Sequence, residues 1–429
     1  MKKAALHNLG CKVNAYETEA MRQMLETAGY EIVAFQEKAD IYIVNTCTVT
    51  NVADRKSRQM LNRAKKMNPA AIVVAVGCYV QSKDEKEEPG ESIDIIIGNN
   101  KKQDLISILE AYERGNKEVN RLDINHTNEY EPLSLSKTAA HTRAYIKVQD
   151  GCNQFCTYCI IPHVRGRVRS RKKEDVLQEV NRLVGAGYKE IVLSGIHLSS
   201  YGIDLSEDLL SLILTVHQVE GLKRIRLGSL EPRVMSEHFI KTLAGLDKIC
   251  PHFHLSLQSG CNETLRRMNR RYTTEEYYET CENIRRYFPH PAITTDIIVG
   301  FPKETEEDFE QTKAFVDQVN FYETHIFKYS KRGGTKAAAM DGQVEEQVKT
   351  RRSNELIALS KQKQAQFEKD MLGKDVEVLV EEKKMIDGVA SWVGHTKEYI
   401  KVSIQDEIDL ENQITTKILG KNSQIVIEL

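Results

Sequence analysis

Cys152-Asn153-Gln154-Phe155-Cys156-Thr157-Tyr158-Cys159 sets three cysteines at the spacing C-x3-C-x2-C, with an aromatic residue just before the last. Cysteine is the usual ligand of a [4Fe–4S] cubane, which has four irons to hold. Three clustered thiolates leave one iron open to a small chelating molecule, much as a catalytic zinc keeps a position that a structural zinc lacks. The competing readings are a structural zinc site or free thiols in a reducing compartment. Zinc motifs usually come as two close cysteine pairs, and no second pair lies near this stretch. The run at 144–149 just before it reads as a strand.

That strand opens a repeat. Strand patterns at 144–149, 190–196, 224–229, 252–258, 293–299 and 323–329 alternate with helical stretches at 174–185, 208–219, 275–287 and 306–319. The last helix opens with a capping box, Thr305 and Asp308. Six units are too few for an eight-stranded barrel, so an open (β/α)6 barrel is expected, with the cysteine loop at its strand C-terminal rim. Upstream, strand-like runs at 4–9, 41–44 and 72–76 with helical stretches at 16–27 and 53–66 predict a parallel βαβαβ unit. Cys11, Cys47 and Cys78 each follow one of these runs, 36 and then 31 positions apart. Parallel strands bring their C-terminal ends to one edge, where ligands bind. The three thiolates would thus converge as a second three-ligand site, although scattered buried cysteines are common. Cys250, Cys261 and Cys281 sit on apolar periodic segments and read as core. A charged helix at 345–370 leads to five short strands at 375–380, 389–393, 399–402, 415–418 and 425–427, a small all-β module. The Ser/Thr-rich stretch 130–143 reads as a linker.

At 429 residues, with 41% hydrophobic and 28% charged residues, the chain can build several ordinary cores. A formal net charge of −2 points to no polyanionic partner overall, so any nucleic-acid surface must be local. The first 30 residues hold no apolar run of signal-peptide length and no stretch reaches membrane-span length, so a cytoplasmic location without membrane contact is expected. Nine cysteines, an odd number, suit a reducing compartment better than a disulfide framework.

The chain resembles the radical S-adenosylmethionine (SAM) methylthiotransferase family along essentially its whole length. The matching stretches are Leu9-Gly10-Cys11-Lys12-Val13-Asn14, Asn45-Thr46-Cys47, Val76-Gly77-Cys78, the motif at Cys152, Gly166-Arg167-Val168-Arg169-Ser170-Arg171, Arg226-Leu227-Gly228-Ser229-Leu230-Glu231-Pro232, Leu255-Ser256-Leu257-Gln258-Ser259-Gly260 and Thr295-Asp296-Ile297-Ile298-Val299-Gly300-Phe301-Pro302. One detail departs from the family: Ser199 stands where relatives often carry glycine. The resemblance implies three domains: an N-terminal flavodoxin-like α/β domain at 1–130, a radical SAM barrel at 138–370 and an OB-like TRAM RNA-binding module at 371–429. It implies two [4Fe–4S] clusters, one on Cys152, Cys156 and Cys159 and an auxiliary one on Cys11, Cys47 and Cys78. It also implies SAM as methyl donor and radical source, a reducing partner such as flavodoxin or ferredoxin, and tRNA as substrate. The target is a C–H bond on an aromatic base carbon, which is not acidic and gives general acid–base catalysis nothing to grip.

Polar and glycine residues at the expected rim are SAM-contact candidates: Ser194 and Gly195, Ser229 and Glu231, Gln258 and Ser259, and Gly300. Ordinary strand-to-helix turn chemistry is the competing reading. Tyr158 packs near the cluster or adenine, or fills the loop core. For RNA, the candidates are Arg165, Arg167, Arg169 and Arg171, Lys331 and Arg332, and Trp392, Lys397, Tyr399 and Lys401 in the β module. A solvated helix start and a small-module core are the competing readings. The loop Gly10-Cys11-Lys12-Val13-Asn14 resembles the branch acting on N6-threonylcarbamoyladenosine beside the anticodon, rather than the isopentenyladenosine branch (Gly-Cys-Gln-Met-Asn) or the ribosomal-protein branch (Gly-Cys-Pro-Lys-Asn). Lys12 or the arginine run suits the carboxylate of a threonylcarbamoyl group. An iron–sulfur or zinc RNA-binding protein is the non-enzyme alternative.

Overall fold

The computed structural model describes residues 1–82, 90–116, 119–136, 142–421 and 423–426. Strands β1 (Lys3–Asn8), β2 (Glu31–Ile32), β3 (Ile41–Thr46), β4 (Ile72–Gly77) and β5 (Ile95–Ile97) form one parallel sheet in the order β2-β1-β3-β4-β5. This is the expected flavodoxin-like order. β3 is buried along its whole length and β4 nearly so, which explains their unbroken apolar runs. Helices Lys12–Thr27 and Leu105–Glu113 cover one face through Met21, Leu25, Leu105 and Leu109. Helix Asn51–Met67 covers the other through Leu61 and Ala64. β2 and β5 are too short to leave a periodic signal.

The second region carries β6 (Arg143–Asp150), a short antiparallel β7 (Arg169–Ser170) on its end, then β8 (Glu190–Gly195), β9 (Arg224–Leu227), β10 (His252–His254), β11 (Ala292–Val299) and β12 (Glu323–Lys328). β6, β8 and β9 pair in parallel, as do β10, β11 and β12. Parallel bridges Ile225–Ile249 and Leu230–Leu255 join the two ladders into the expected six-stranded open barrel. Outer helices bury Val176, Leu212, Ile240, Ile284 and Phe309 in one continuous core over the strands. β10 is shorter than its apolar pattern, and Gln258 downstream holds a left-handed φ of 76° that no regular strand adopts.

The charged helix Glu346–Met371 leads to β13 (Asp375–Ile386), β14 (Val389–Thr396), β15 (Lys401–Ile404), β16 (Ile414–Ile418) and β17 (Gln424–Ile425), paired antiparallel in the order β16-β13-β14-β15-β17. β15 starts two residues later than expected because Tyr399, at φ 76°, sits in the turn from β14. The module docks on the N-terminal ends of the barrel strands. Arg224 and Arg226 of β9 donate to the carbonyls of Glu377, His395, Thr396 and Lys397. Of the expected elements, part of the linker (137–141), the start of the second domain at 138 and the end of the last strand at 427 lie outside the described residues. Among the described residues, no helix is long and apolar enough to cross a membrane.

Candidate functional site

The register of the first sheet aligns Asn8 with Asn45 and Thr46 with Gly77, so β1, β3 and β4 end side by side. Cys47 follows β3, Cys78 follows β4, and Cys11 caps the helix after β1. The chain reaches Cys78 through Gly77 at φ 95°, where a Cβ would lie 2.6 Å from Asn45 Oδ1. Burial pushes the Cys47 thiol up to about 11, and the nearby Cys78 and Cys11 push the same way. Cys11 Sγ lies 3.5 Å from Asn14 Oδ1, and Asn14 Nδ2 donates to Asn45 Oδ1 and the Thr46 carbonyl, tying the loops together.

Cys152 comes two residues after β6, with Gly151 between at φ 70°. A Cβ on Gly151 would sit 1.8 Å from the Arg167 carbonyl, so only glycine fits this turn. The Cys152 N–H donates to the Gly166 carbonyl, and Thr157 bonds to the carbonyls of Met268 and Arg267, pinning the loop at both ends. Burial pushes Cys152 to about 11 and Cys159 to about 12. Arg270 Nη1 lies 3.3 Å from Cys156 Sγ. Tyr158 packs edge-on to Phe301 in an apolar cluster with Met268 and Tyr329, which is the loop-core role.

The two cysteine sets meet. Cys78 packs against Ile160 and Val164, in the segment that directly follows Cys159. Between them Arg165 is fully buried. Its Nη1 donates to Glu17 Oε1 at 2.9 Å and to both Asp150 oxygens at 3.1 Å, its Nη2 to Asn14 Oδ1 and Glu17 Oε2, and its Nε lies 3.3 Å from Cys78 Sγ. Lys102, Lys147 and Arg169 join the same network, with Glu131 as its third carboxylate. Four cations thus face three carboxylates, and one of the four, Arg165, also reaches Cys78. Burial alone would push the Glu17 carboxyl up, but Arg165, Lys102 and Lys147 hold it below the usual carboxylate range.

The donor sets fit iron–sulfur clusters. All six cysteines are free thiols. Each set has one sulfur met by an arginine N–H at 3.3 Å. Among the described residues, a trio of donors within 4.8 Å of one another occurs at His254, Asp296 and His325 and at neither cysteine set, so the thiols are spread wider than one small ion needs.

Several expected contacts fall elsewhere. Arg165, Arg169 and Arg171 are buried; Arg171 pairs with Glu179 and Arg169 donates to the Arg165 and Arg167 carbonyls. Their guanidiniums face protein carboxylates and carbonyls, not solvent phosphate. Arg332 is likewise buried on Asp54, Asn51 and Thr48, clamping the end of the barrel to the first domain. Trp392 lies in the β-module core with Val376, Val378 and Val402. Tyr399 stacks between His252 and His395, with Arg143 and Arg226 over its ring, and Lys397 Nζ donates to the Asp247 carbonyl. Arg167 lies over Phe155, half-buried; Lys331 is exposed and Lys401 half-exposed.

Of the SAM candidates, Ser194 Oγ donates back to the Ile146 carbonyl and Ser259 Oγ faces Thr312 on an outer helix. At Gly300 the backbone holds φ 70° and a Cβ would meet Lys349 Cγ at 2.0 Å. Gly195 has Gln149 Oε1 within 2.8 Å of its Cβ position, and Ser229 is exposed. Glu231 stays at the rim: its N–H donates to Ser199 Oγ, and its carboxylate lies 3.3 Å from His197 Nε2 and 3.2 Å from Gln154. Gln258 bridges backbone groups of β11. His197 and Ser199 meet Glu231, and Arg270 meets Cys156, only in the fold, so no spacing along the chain announces these contacts. Lys12, beside Cys11, is solvent-accessible yet enclosed by protein, and that crowding with Arg226 and Arg143 lowers its ammonium.

Two family models match the chain: the radical SAM superfamily over residues 146–316 and the uncharacterized protein family UPF0004 over residues 3–98. A threonylcarbamoyladenosine tRNA methylthiotransferase (MtaB) of Bacillus subtilis is 42% identical over 98% of this chain and 94% of its own. The Aquifex aeolicus protein of that name is 40% identical over 90% and 94%. A tRNA-2-methylthio-N(6)-dimethylallyladenosine synthase of Thermoanaerobacter sp. is 39% identical over 88% and 81%. Among solved structures, the radical SAM methyltransferase TsrM of Kitasatospora setae superposes with a TM-score of 0.55 at 15% identity, over 76% of this chain and 75% of that one, a likeness of fold.

Proposed function

The chain belongs to the radical SAM tRNA methylthiotransferases, and from that premise we propose that it converts N6-threonylcarbamoyladenosine beside the anticodon to its 2-methylthio derivative, using two clusters. Cys152, Cys156 and Cys159 would hold the cluster that binds SAM, and Cys11, Cys47 and Cys78 the auxiliary one. When bound, these groups supply a primary carbon radical, a methyl group and a carrier for sulfur. The observation that carries the two-cluster reading is the packing of Cys78 against Ile160 and Val164, one residue and more beyond Cys159. Two thiolate sets that close allow one substrate carbon to meet both.

The protein's own residues divide the work. Arg165 and Arg270 steady one thiolate in each set through N–H donation. Glu231, ordered by Ser199 and His197, presents a carboxylate to the ribose or amino group of SAM. Lys12 is an exposed cation next to Cys11 in the chain, and a threonylcarbamoyl carboxylate would suit it, since Arg165, Arg169 and Arg171 are occupied. An isopentenyl group would offer that cation no partner. Of the cations expected at RNA, Arg167 and Lys331 keep solvent exposure and would suit phosphate. A division into 1–130, 138–370 and 371–429 is supported by the parallel first sheet, the two barrel ladders and the antiparallel last sheet, and an external one-electron donor of the flavodoxin or ferredoxin kind would reduce the SAM-binding cluster.

Nucleoside mass spectrometry of tRNA from a deletion strain tests the substrate. The methylthio-threonylcarbamoyl nucleoside should vanish and its unthiolated precursor accumulate. Loss of the methylthio-isopentenyl nucleoside instead would move the protein to that branch.

A further inference from the structure

His254, Asp296 and His325 stand on three neighbouring strands of the barrel. Parallel pairing sets His254 beside Thr294 and Asp296 beside His325. Strand alternation then puts all three on the lumen side, while Phe253, Leu255, Ile293 and Ile297 enter the outer core. One donor atom from each lies within 4.8 Å of the other two. His254 Nε2 is 3.2 Å from Asp296 Oδ2, and the two imidazoles stack at 5.8 Å and 25°. Asp296 and His254 are partly buried, whereas His325 is open to solvent. The three are 42 and 29 positions apart, so no sequence spacing announces them.

Two imidazoles and a carboxylate are a donor set for a borderline divalent cation, and three protein ligands leave coordination positions free. The support for the ligands is present too. His254 Nδ1 lies 3.0 Å from Thr294 Oγ1, and His325 Nδ1 lies 3.6 Å from Glu323. Metal-bound imidazoles are typically fixed through their second nitrogen in the manner of His254, whereas the His325–Glu323 approach is too long for a hydrogen bond. If Nδ1 donates to Thr294, Nε2 and Asp296 are two acceptors facing each other, an arrangement that a cation between them relieves.

We propose that His254, Asp296 and His325 form a divalent-cation site of the zinc type in the barrel lumen, separate from both cysteine sets. Its free positions face the lumen and suit a carboxylate oxygen of the substrate; this second part rests on the threonylcarbamoyl reading above.

The test uses full-length, cluster-loaded protein equilibrated anaerobically with Zn2+ and then desalted. Zinc should be retained at about one per chain with iron content unchanged, and its X-ray absorption edge should report nitrogen and oxygen neighbours only. Asp296→Asn and His254→Gln should lose retention, and Thr294→Val should weaken it about 10- to 100-fold. No retained zinc, equal retention by Asp296→Asn, or a sulfur shell at about 2.3 Å, which would put zinc on cysteine, each overturns the site. In a second arm, zinc should tighten binding of the threonylcarbamoyladenosine nucleoside and leave isopentenyladenosine unaffected. Zinc retained at the trio with no effect on either nucleoside overturns the carboxylate role alone. A deletion strain that loses the isopentenyl product refutes the substrate reading without touching the zinc result.

Discussion

Replacing Arg165 by alanine removes a fully buried guanidinium whose hydrogen bonds end on Glu17, Asp150, Asn14 and Cys78. The carboxylates keep Lys147, at 2.9 Å from Glu17 and 2.6 Å from Asp150, and Lys102 at 3.4 Å from Glu17, so they are not left wholly bare. Breaking a buried pair costs about 3–5 kcal/mol when one partner goes, and the remaining lysines place this case near the lower figure. At about 2.1 cal/mol/K of unfolding entropy per residue, a chain of this size melting as one unit would lose about 3–4 °C in Tm. Differential scanning calorimetry of anaerobically loaded protein measures this. Because hydrogen bonds to sulfur help set cluster potentials, potentiometric EPR titration should also show one of two reduction midpoints shifted downward and the other unmoved. An unchanged Tm and two unshifted midpoints would refute the idea that Arg165 ties the cysteine sets together.

Alanine at Cys152, Cys156 and Cys159 should abolish reductive SAM cleavage, whereas alanine at Cys11, Cys47 and Cys78 should spare cleavage and stop sulfur insertion; methylthiolated product from the second variant would sink the auxiliary assignment. Gly151→Ala should deplete cluster content on the barrel side, because φ 70° and a 1.8 Å approach to the Arg167 carbonyl leave no room for a methyl group; normal iron content would count against this. Burial, then Arg226, Lys12, His254 and Arg143, hold the His252 imidazole well below its ordinary range, so it stays neutral in the fold. The unfolded chain alone then takes up that proton below about pH 6.5, and stability should fall with pH there at up to about 1.4 kcal/mol per unit. His252→Gln should flatten denaturation midpoints between pH 5 and 6.5, and an identical pH slope in the variant would refute the assignment.

The sequence by itself determined the chemistry and the architecture. C-x3-C-x2-C is a local spacing, and its thiols sit on one loop whatever packs around it. Strands such as 41–46 and 72–77 are legible because burial on both faces demands unbroken aliphatic runs. Cys11, Cys47 and Cys78 could be joined in advance because parallel strands bring their ends to one edge. Tertiary structure alone decided which charges are free. Arg165, Arg169, Arg171 and Arg332 look like a phosphate-binding surface in one dimension, but carboxylates occupy them, Glu17 and Asp54 from distant segments and Asp150 and Glu179 from neighbouring elements of the barrel. Trp392 and Tyr399 were equally ambiguous, because an aromatic side chain offers the same face to a base as to a hydrophobic core or a histidine ring. His254, Asp296 and His325 stayed hidden for the complementary reason: side chains from three strands converge only when the sheet is assembled, and the period-two alternation that points them inward leaves no trace in the separation of the residues along the chain.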